Sequence, residues 1–232
     1  TDGITLDANG LPDKGNWTPV TTKNSKPYQG SINGNDYTIS NMYIVNTSNA
    51  QNQGFLSNSI GDIKDLTFDK AIIVVGAYQC IGVIAGASRD NISNCKVTNS
   101  KIKIQNTSSS NYVGGLVGSL NSSESYNAAT ITGKGKITGS SFNGTIEGDK
   151  IVGGIVGLFN NYTNTYITNC TVEGSITGNY KVGGIVGESR SFIEVCTNKA
   201  AVNGAASGGI VGVMDGTAST VGCTNEGEMN GA

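Results

Sequence analysis

The 232-residue chain contains no histidine, only three prolines, and few charged residues, which make up 14% of the sequence. Without histidine the chain has no Ser-His or Cys-His couple and lacks the commonest general base. So little charge and proline argue against a disordered chain. The net charge of −2 gives no attraction to nucleic acid or to an anionic membrane surface. We therefore expect no nucleic-acid partner.

Long apolar runs and paired cysteine motifs are also absent. The longest apolar run, Ala71–Val75, is too short to cross a bilayer, so we expect no membrane insertion. The cysteines are odd in number and lack C-x-x-C spacing, so the sequence predicts no metal site and no cofactor. They are Cys80, Cys95, Cys170, Cys196 and Cys223.

Glycine is abundant, with 34 residues, and much of it belongs to a repeated pentapeptide. This reads GGLVG at 114–118 and GGIVG at 153–157, 183–187 and 208–212, with eroded copies at 53–57 and 82–86. A second segment recurs between these copies and is anchored on a cysteine or its replacement. The anchors, spaced 24 to 45 residues apart, are Met42, Leu66, Cys95, Ser140, Cys170, Cys196 and Cys223. The chain is therefore a repeat array.

The local pattern of each repeat predicts strands. Residues 170–173, for example, alternate small or apolar with polar side chains, and glycine or asparagine follows where corners need positive φ. No stretch shows a helical period. A repeat of this length suits one coil of a single-stranded parallel β-solenoid, with coils about 4.8 Å apart. We predict an all-β fold of about seven coils over residues 29–232.

Stacking of equivalent residues predicts internal ladders. The two glycines of the pentapeptide make a corner, and the following Ile/Val pair re-enters a strand, although either of the two could point inward. Asn198 and Asn225 are expected to bond through their side-chain amides. The three late cysteines, from Cys170 onward, are expected to stack as free buried thiols, with disulfides between adjacent coils as the alternative.

The repeats resemble the bacterial GLUG-motif family, whose units read C-x-N-x-G-x-V-x-G followed by V-G-G-[IL]-V-G. The segment Tyr28–Ile39 is similar to the F-x-G-x-F-D-G-N-G-H-T-I opening of the same surface proteins. The resemblance covers nearly the whole chain. It implies a right-handed parallel β-helix in secreted or cell-surface proteins that are often labelled adhesins, and it implies no reaction.

The two ends of the chain read differently. Residues 1–28 hold Trp17, Pro19 and Pro27 but no repeat, so they are expected to form an N-terminal cap. The pentapeptide that should follow Cys223 is due about 12 residues later, whereas the chain stops at Ala232. The sequence therefore predicts one domain truncated at its C-terminus.

The best candidate ligand site lies in the insertion at 158–166. Phe159, Tyr162 and Tyr166 stand there among asparagine and threonine residues, a mixture suited to stacking against carbohydrate. The alternative is that these aromatic rings close over the edge of a coil. A separate small basic patch, Lys96, Lys101 and Lys103, is interpreted as a solvated face.

For catalysis the best candidates are Glu188 and Asp215, with Arg190 nearby. Both follow a copy of the pentapeptide, and their positions are expected to match one coil apart, which would bring their backbones to about 5 Å. That spacing approaches the carboxylate pair of a retaining glycosidase. The alternative is a solvated pair of surface carboxylates, which we favour, so no catalytic residue is predicted.

Together these observations predict a non-enzymatic module of a larger extracellular or cell-surface chain, used for adhesion or for projecting other domains. Its expected partners are host or microbial glycans or surface proteins. One alternative is a polysaccharide-processing enzyme, either a glycoside hydrolase or a lyase, that uses Glu188 and Asp215. Another is a rigid spacer without a ligand.

Overall fold

The computed structural model describes residues 3–21, 26–47, 52–76, 80–89, 91–105, 111–121, 135–160 and 164–231. Over these ranges the chain forms β-strands and no helix, so none of these residues belongs to a helix that could span a membrane. Neighbouring strands pair in parallel throughout the four sheets. The all-β parallel solenoid predicted from the repeats is confirmed.

Each coil passes through four sheets in turn, beginning with a seven-stranded sheet and an eleven-stranded sheet. The seven-stranded sheet contains β1 (Ile32–Asn33), β5 (Ile63–Lys64), β10 (Ile92–Ser93), β14 (Ile137–Thr138), β18 (Tyr166–Thr168), β22 (Phe192–Glu194) and β27 (Ser219–Val221). The eleven-stranded sheet contains β2 (Thr38–Ser40), β3 (Tyr43–Asn46), β6 (Thr67–Asp69), β7 (Ile72–Val75), β11 (Lys96–Ile104), β15 (Ser141–Glu147), β19 (Thr171–Thr177), β23 (Thr197–Asn198), β24 (Ala201–Gly204), β28 (Thr224–Asn225) and β29 (Met229–Gly231).

The other two sheets flank the pentapeptide corner and have five and six strands. The five-stranded sheet contains β8 (Cys80–Ile81), β12 (Tyr112–Gly114), β16 (Ile151–Gly153), β20 (Lys181–Gly183) and β25 (Ala206–Gly208). The six-stranded sheet contains β4 (Leu56–Ser59), β9 (Ala85–Ser88), β13 (Val117–Leu120), β17 (Val156–Phe159), β21 (Val186–Ser189) and β26 (Val211–Met214). These strand numbers give about six complete turns, against the predicted seven coils.

The strand register matches the sequence repeats with one exception. Successive pentapeptides align glycine on glycine, as Gly153 does with Gly183, and the eroded copies join the same column. The cysteine anchors also align, since the residues that follow them pair from coil to coil. Met42 was wrongly assigned as an anchor. Because Tyr43 pairs with Ile72, Met42 lies below Ala71 rather than below Leu66.

The corner glycines are required because neighbouring atoms leave no room for a Cβ. At the second glycine of the first three full copies, Gly115, Gly154 and Gly184, an added Cβ would collide with the carbonyl oxygen one coil above and with an inward side chain of the eleven-stranded sheet. For Gly115 those two partners are Gly154 and the Phe142 ring. Both members of the Ile/Val pair that follows are buried in the core, as Ile155 and Val156 show.

The opposite corner, between the seven- and eleven-stranded sheets, uses residues with positive φ. The residue before each anchor takes this conformation, with Asn94 at φ 52° and Asn169 at φ 53°. Asparagine, aspartate and glycine tolerate this region, whereas a β-branched residue is strained there. Val195 nevertheless occupies the same corner at φ 51°.

The predicted asparagine ladder is present. Asn198 is completely buried, and its Nδ2 donates to Asn225 Oδ1 at 2.7 Å. The same amide serves Ala200, accepting from its backbone N–H and donating to its carbonyl oxygen, both at 3.0 Å. In the coils below, Val172 and Phe142 hold this position, so the core changes from apolar to amide toward the last coils.

The N-terminal segment packs against the first coil. The indole of Trp17 stacks on Phe55 with ring centroids 5.0 Å apart, and Trp17 Nε1 donates to the Phe55 carbonyl oxygen. Val20 and Tyr28 form parallel bridges with Leu56 and Ser59 at the edge of the six-stranded sheet. This part of the chain therefore covers the lower edge of β4.

Candidate functional site

The structure places Phe159 and Tyr166, two of the three aromatic residues of the predicted ligand site, in different sheets. Phe159 ends β17, pairs with Leu120 and is fully buried in the core, so its ring has no face available to a ligand. Its assignment to the site was therefore wrong. Tyr162 lies outside the described residues. Tyr166 begins β18 on the seven-stranded sheet, half-buried, with the Lys136 ammonium 4.9 Å from its ring centroid.

The two candidate catalytic carboxylates do not occupy equivalent positions. Glu188 pairs with Val213, and the Asp215 amide donates to the Ser189 carbonyl, so Asp215 lies above Arg190. The expected one-coil relation between Glu188 and Asp215 was therefore wrong by two residues. Counting from the end of the pentapeptide at 187 and 212 gives the same result, because Glu188 and Val213 each come first after it.

Both carboxylates instead share one arginine. Arg190 donates through Nη2 to Glu188 and through Nε to Asp215, both at 3.1 Å, and through Nη1 to Asn160 at 3.2 Å. The second oxygen of Glu188 accepts from Lys181 Nζ at 2.5 Å. Two cations thus neutralise two carboxylates, and Glu188, only 5% exposed, is held on both of its oxygens.

The Lys181–Glu188 pair belongs to a corner on the outside of the solenoid. Lys181 lies before the pentapeptide on the five-stranded sheet, and Glu188 lies after it on the six-stranded sheet, seven residues later. The register gives five successive coils an equivalent pair, and we call these the corner pairs. They are Cys80–Ala87, Tyr112–Ser119, Ile151–Leu158, Lys181–Glu188 and Ala206–Val213.

Glycine forms the floor between the corner pairs. At Gly187 an added Cβ would press on the Val152 amide nitrogen and on the Ile151 side chain of the coil below. The two sheets therefore approach closely, and Leu158 is buried although it is not part of the main core. The result is a narrow, filled corner.

The corner places one tyrosine close to the charged groups. Burial raises the pKa of the Tyr112 phenol, and the nearby Cys80 and Glu188 groups raise it further. A phenol of raised pKa beside an ion-paired glutamate stays protonated at neutral pH. The arrangement orients charges and hydrogen bonds, and it leaves neither Glu188 nor Tyr112 as a ready proton acceptor.

Four of the five cysteines, all except Cys80, directly follow the residue with positive φ at the corner of their coil. All five are free, and only Cys223 is partly exposed. Cys170 Sγ donates to the carbonyl of Thr168 two residues earlier, and Ser140 Oγ makes the equivalent bond to Thr138. Burial raises the pKa of Cys95 to about 11. The prediction of free, buried thiols is confirmed for Cys170 and Cys196, whereas Cys223 is free but partly exposed. Cys95, Cys170 and Cys196 each donate to the carbonyl oxygen two residues earlier.

Two lysines of the predicted basic patch are held in ion pairs. Lys101 and Lys103 both reach Glu147, with the Lys103 Nζ–Glu147 Oε2 distance at 2.7 Å, and the hydrogen bond from Lys103 lowers the pKa of that carboxyl. This part of the basic patch is therefore paired. Among the described residues, no three His, Cys, Asp or Glu side chains come together in a group that could hold a metal ion.

Phe192, an exposed aromatic residue next to Tyr166, was not among the predicted site residues. Phe192 begins β22, pairs directly with Tyr166 and is 46% exposed. A signal was present in the sequence, because K-I-T, Y-I-T and F-I-E precede successive anchors with the isoleucine buried each time. Alignment of these tripeptides places Lys136, Tyr166 and Phe192 in one outward column.

Comparison with known proteins adds one local similarity. No family model matches the chain, and no solved structure matches it. Halomucin from Haloquadratum walsbyi (strain DSM 16790 / HBSQ001) is 34% identical over 107 residues, which is 45% of this chain and 1% of Halomucin. The chain therefore corresponds to a very small part of that protein, and the similarity transfers no activity or partner.

Proposed function

We propose that the chain is a non-enzymatic, rigid module of a cell-surface or secreted protein that presents a β face for adhesion. One observation supports this most directly: both carboxylates that a polysaccharide-processing enzyme would use are held in ion pairs. Glu188 bonds Lys181 and Arg190, and Asp215 bonds Arg190. A glycosidase pair needs one carboxylate ready to donate a proton and another ready to attack.

The fold supports the structural part of the proposal. Parallel pairing runs from coil to coil in all four sheets, with a bulge between Val97 and Ser100, and the core that the sheets enclose is continuous from Met42 to Val202. Such close packing resists deformation. The module therefore holds outward side chains at fixed spacings, which suits adhesion to a repeating surface.

The test measures polysaccharide turnover and uses the Glu188→Gln variant as its control. The whole chain is incubated with plant, mucin and host-matrix polysaccharides, and reducing ends and unsaturated uronate products are measured. We expect no release above that of the Glu188→Gln variant. Product formation by the wild type that Glu188→Gln abolishes would overturn the proposal and establish the polysaccharide-processing alternative.

A further inference from the structure

Three neighbouring strands of the seven-stranded sheet present an unusual outward surface. In β14, β18 and β22 the central isoleucines, Ile137, Ile167 and Ile193, are fully buried. The residues on either side of each isoleucine therefore face outward. They form two columns, Lys136–Tyr166–Phe192 and Thr138–Thr168–Glu194, which we call the aromatic strip.

The aromatic column of this strip is accessible. Phe192 is 46% exposed and lies directly above Tyr166, and its own partner in the next coil is the small residue Ser219. Below, the Lys136 ammonium lies 4.9 Å from the Tyr166 ring centroid, in the range of a cation–π contact. The paired Tyr166 and Phe192 therefore place two aromatic side chains next to each other on the outer face of the sheet.

The hydroxyl column beside it has unused hydrogen-bonding capacity. Among the described residues, the side chains of Thr138, Thr168 and Glu194 form no hydrogen bond or ion pair with another protein group. The lower coils of the same sheet differ, because Asp62 and Asn91 hold the position of the aromatic column there, and Asn91 Nδ2 donates to Asp62 Oδ1. The upper coils therefore combine open aromatic faces with free donors and acceptors.

We propose that the aromatic strip binds a neutral linear polysaccharide whose chain runs along the solenoid axis. One sugar ring stacks its C–H face on Phe192 and the next lies against Tyr166. Their hydroxyl groups donate to the Glu194 carboxylate and exchange hydrogen bonds with Thr168. The inference rests on the proposed adhesive function and names its ligand class.

Charge and spacing both favour this ligand. The strip carries one cation, Lys136, and one anion, Glu194, so it has no net charge to attract an acidic or basic polymer. Its side chains repeat once per coil, about every 4.8 Å along the axis. A repeating surface of this kind matches a repeating polymer better than an irregular one.

The size of the strip argues against a protein partner. Three adjacent strands span only about 10 Å between the outer two, whereas a stable protein interface takes about 800 Å² from each partner. Two or three sugar rings fit this surface, and its side chains are already ordered by the buried isoleucines beneath them. Stacking therefore immobilises few additional groups.

The experiment is affinity electrophoresis of the whole chain in native gels cast with hydroxyethyl cellulose, xyloglucan or galactomannan. Phe192→Ala and Tyr166→Ala test the strip. Tyr37→Ala and Tyr180→Ala remove aromatic rings of comparable exposure elsewhere, 75% and 52%, and serve as matched controls. Melting temperatures of all four variants show whether each still folds, which we expect because the replaced rings lie at the surface.

We expect at least one polysaccharide to retard the wild type and both controls. Phe192→Ala should weaken that retention about tenfold, the loss of one stacking contact. No retardation of the wild type in any gel overturns the polysaccharide ligand. Retardation that Phe192→Ala and Tyr166→Ala leave unchanged overturns this location. Self-association of the wild type that Phe192→Ala abolishes would instead identify the strip as an interface between copies. The gels do not measure polysaccharide cleavage. The proposed non-enzymatic function is therefore tested separately, by the turnover assay described above.

Discussion

Two successive coils solve the same packing problem in different ways. In the lower coil, β19 runs unbroken from Thr171 to Thr177, and Val172 fills the space opposite Gly154. In the coil above, Asn198 fills the space opposite Gly184, and the chain divides into the short strands β23 and β24. The Asn198 amide bonds both backbone groups of Ala200, at the break between those strands.

The difference shows what the glycine corner determines. It fixes the available space, because no Cβ fits at Gly154 or Gly184. The opposing side chain then has two solutions, an apolar group with a continuous strand or an amide that replaces the missing strand hydrogen bonds. The identity of that side chain therefore decides the local strand length, while the coil register stays the same.

The largest effect is expected from filling the corner itself. Gly115→Ala places a Cβ against the Gly154 carbonyl and the Phe142 ring, and it should destabilise folding by about 3 kcal/mol. Gly184→Ala, which meets the Asn198 amide, should cost a similar amount. Urea unfolding measures both. Gly231→Ala is the control, since its nearest atoms lie at 3.8 and 4.0 Å. Equal stability of Gly115→Ala and Gly231→Ala would contradict the steric account.

The second-largest effect is expected from replacing the asparagine of the upper coil with the valine that holds its position in the lower coil. Asn198→Val should cost about 2 kcal/mol because the Ala200 N–H and carbonyl lose their partner in a buried site. Asn225→Val should cost clearly less, since Asn225 is exposed. Both free energies come from thermal and urea unfolding. A neutral Asn198→Val would mean that residues 199–200 can rejoin the strand above Val172, and that the amide is dispensable.

The corner pairs allow a similar exchange between coils. Glu188→Leu alone should destabilise by about 2 kcal/mol, because it leaves Lys181, 21% exposed, beside an apolar group. Adding Lys181→Ile recreates the Ile151–Leu158 pair of the coil below and should restore most of that loss. A double-mutant cycle measures the coupling. Additive losses in the double variant would show that the two side chains do not depend on each other.

The smallest effect concerns the strained corner of the upper coil. Val195→Asn should stabilise the protein by about 1 kcal/mol, because asparagine tolerates the positive φ that valine resists. The reverse change in the coil below, Asn169→Val, should destabilise by a similar amount. Differential scanning calorimetry of both variants tests the pair. An unchanged melting temperature in each would show that this corner relaxes without strain.

The fold could be predicted from the sequence because every coil repeats the same spacing, so errors in single positions do not alter it. The Met42 error illustrates this, since the coil survived a wrong anchor. Side-chain placement depends instead on single-residue register. Asp215 was set opposite Glu188 although counting from the pentapeptide places it above Arg190, and Phe159 was read as loop because the end of β17 carries no sequence signal.

The position of Phe192, in contrast, could have been predicted from the sequence. Its position in the F-I-E tripeptide matches Tyr166 in Y-I-T, so alignment alone puts both rings on one face. The ion pairs could not be predicted in the same way. Lys181 and Glu188 meet because two sheets fold back across a glycine floor, and the angle of that fold is set by packing rather than by any local pattern.

The corner pairs have a consequence for how such a chain can change its length. Each pair is complete within its own coil, so Lys181 finds Glu188 regardless of which coil lies above or below. A coil duplicated or removed as a unit, from one anchor to the next (170–195, for example), would carry both members of its pair, because the pentapeptide and its two flanking residues lie inside that unit. We expect the solenoid to tolerate whole-coil insertion better than the loss of a single residue, which makes its reach adjustable in steps of one coil.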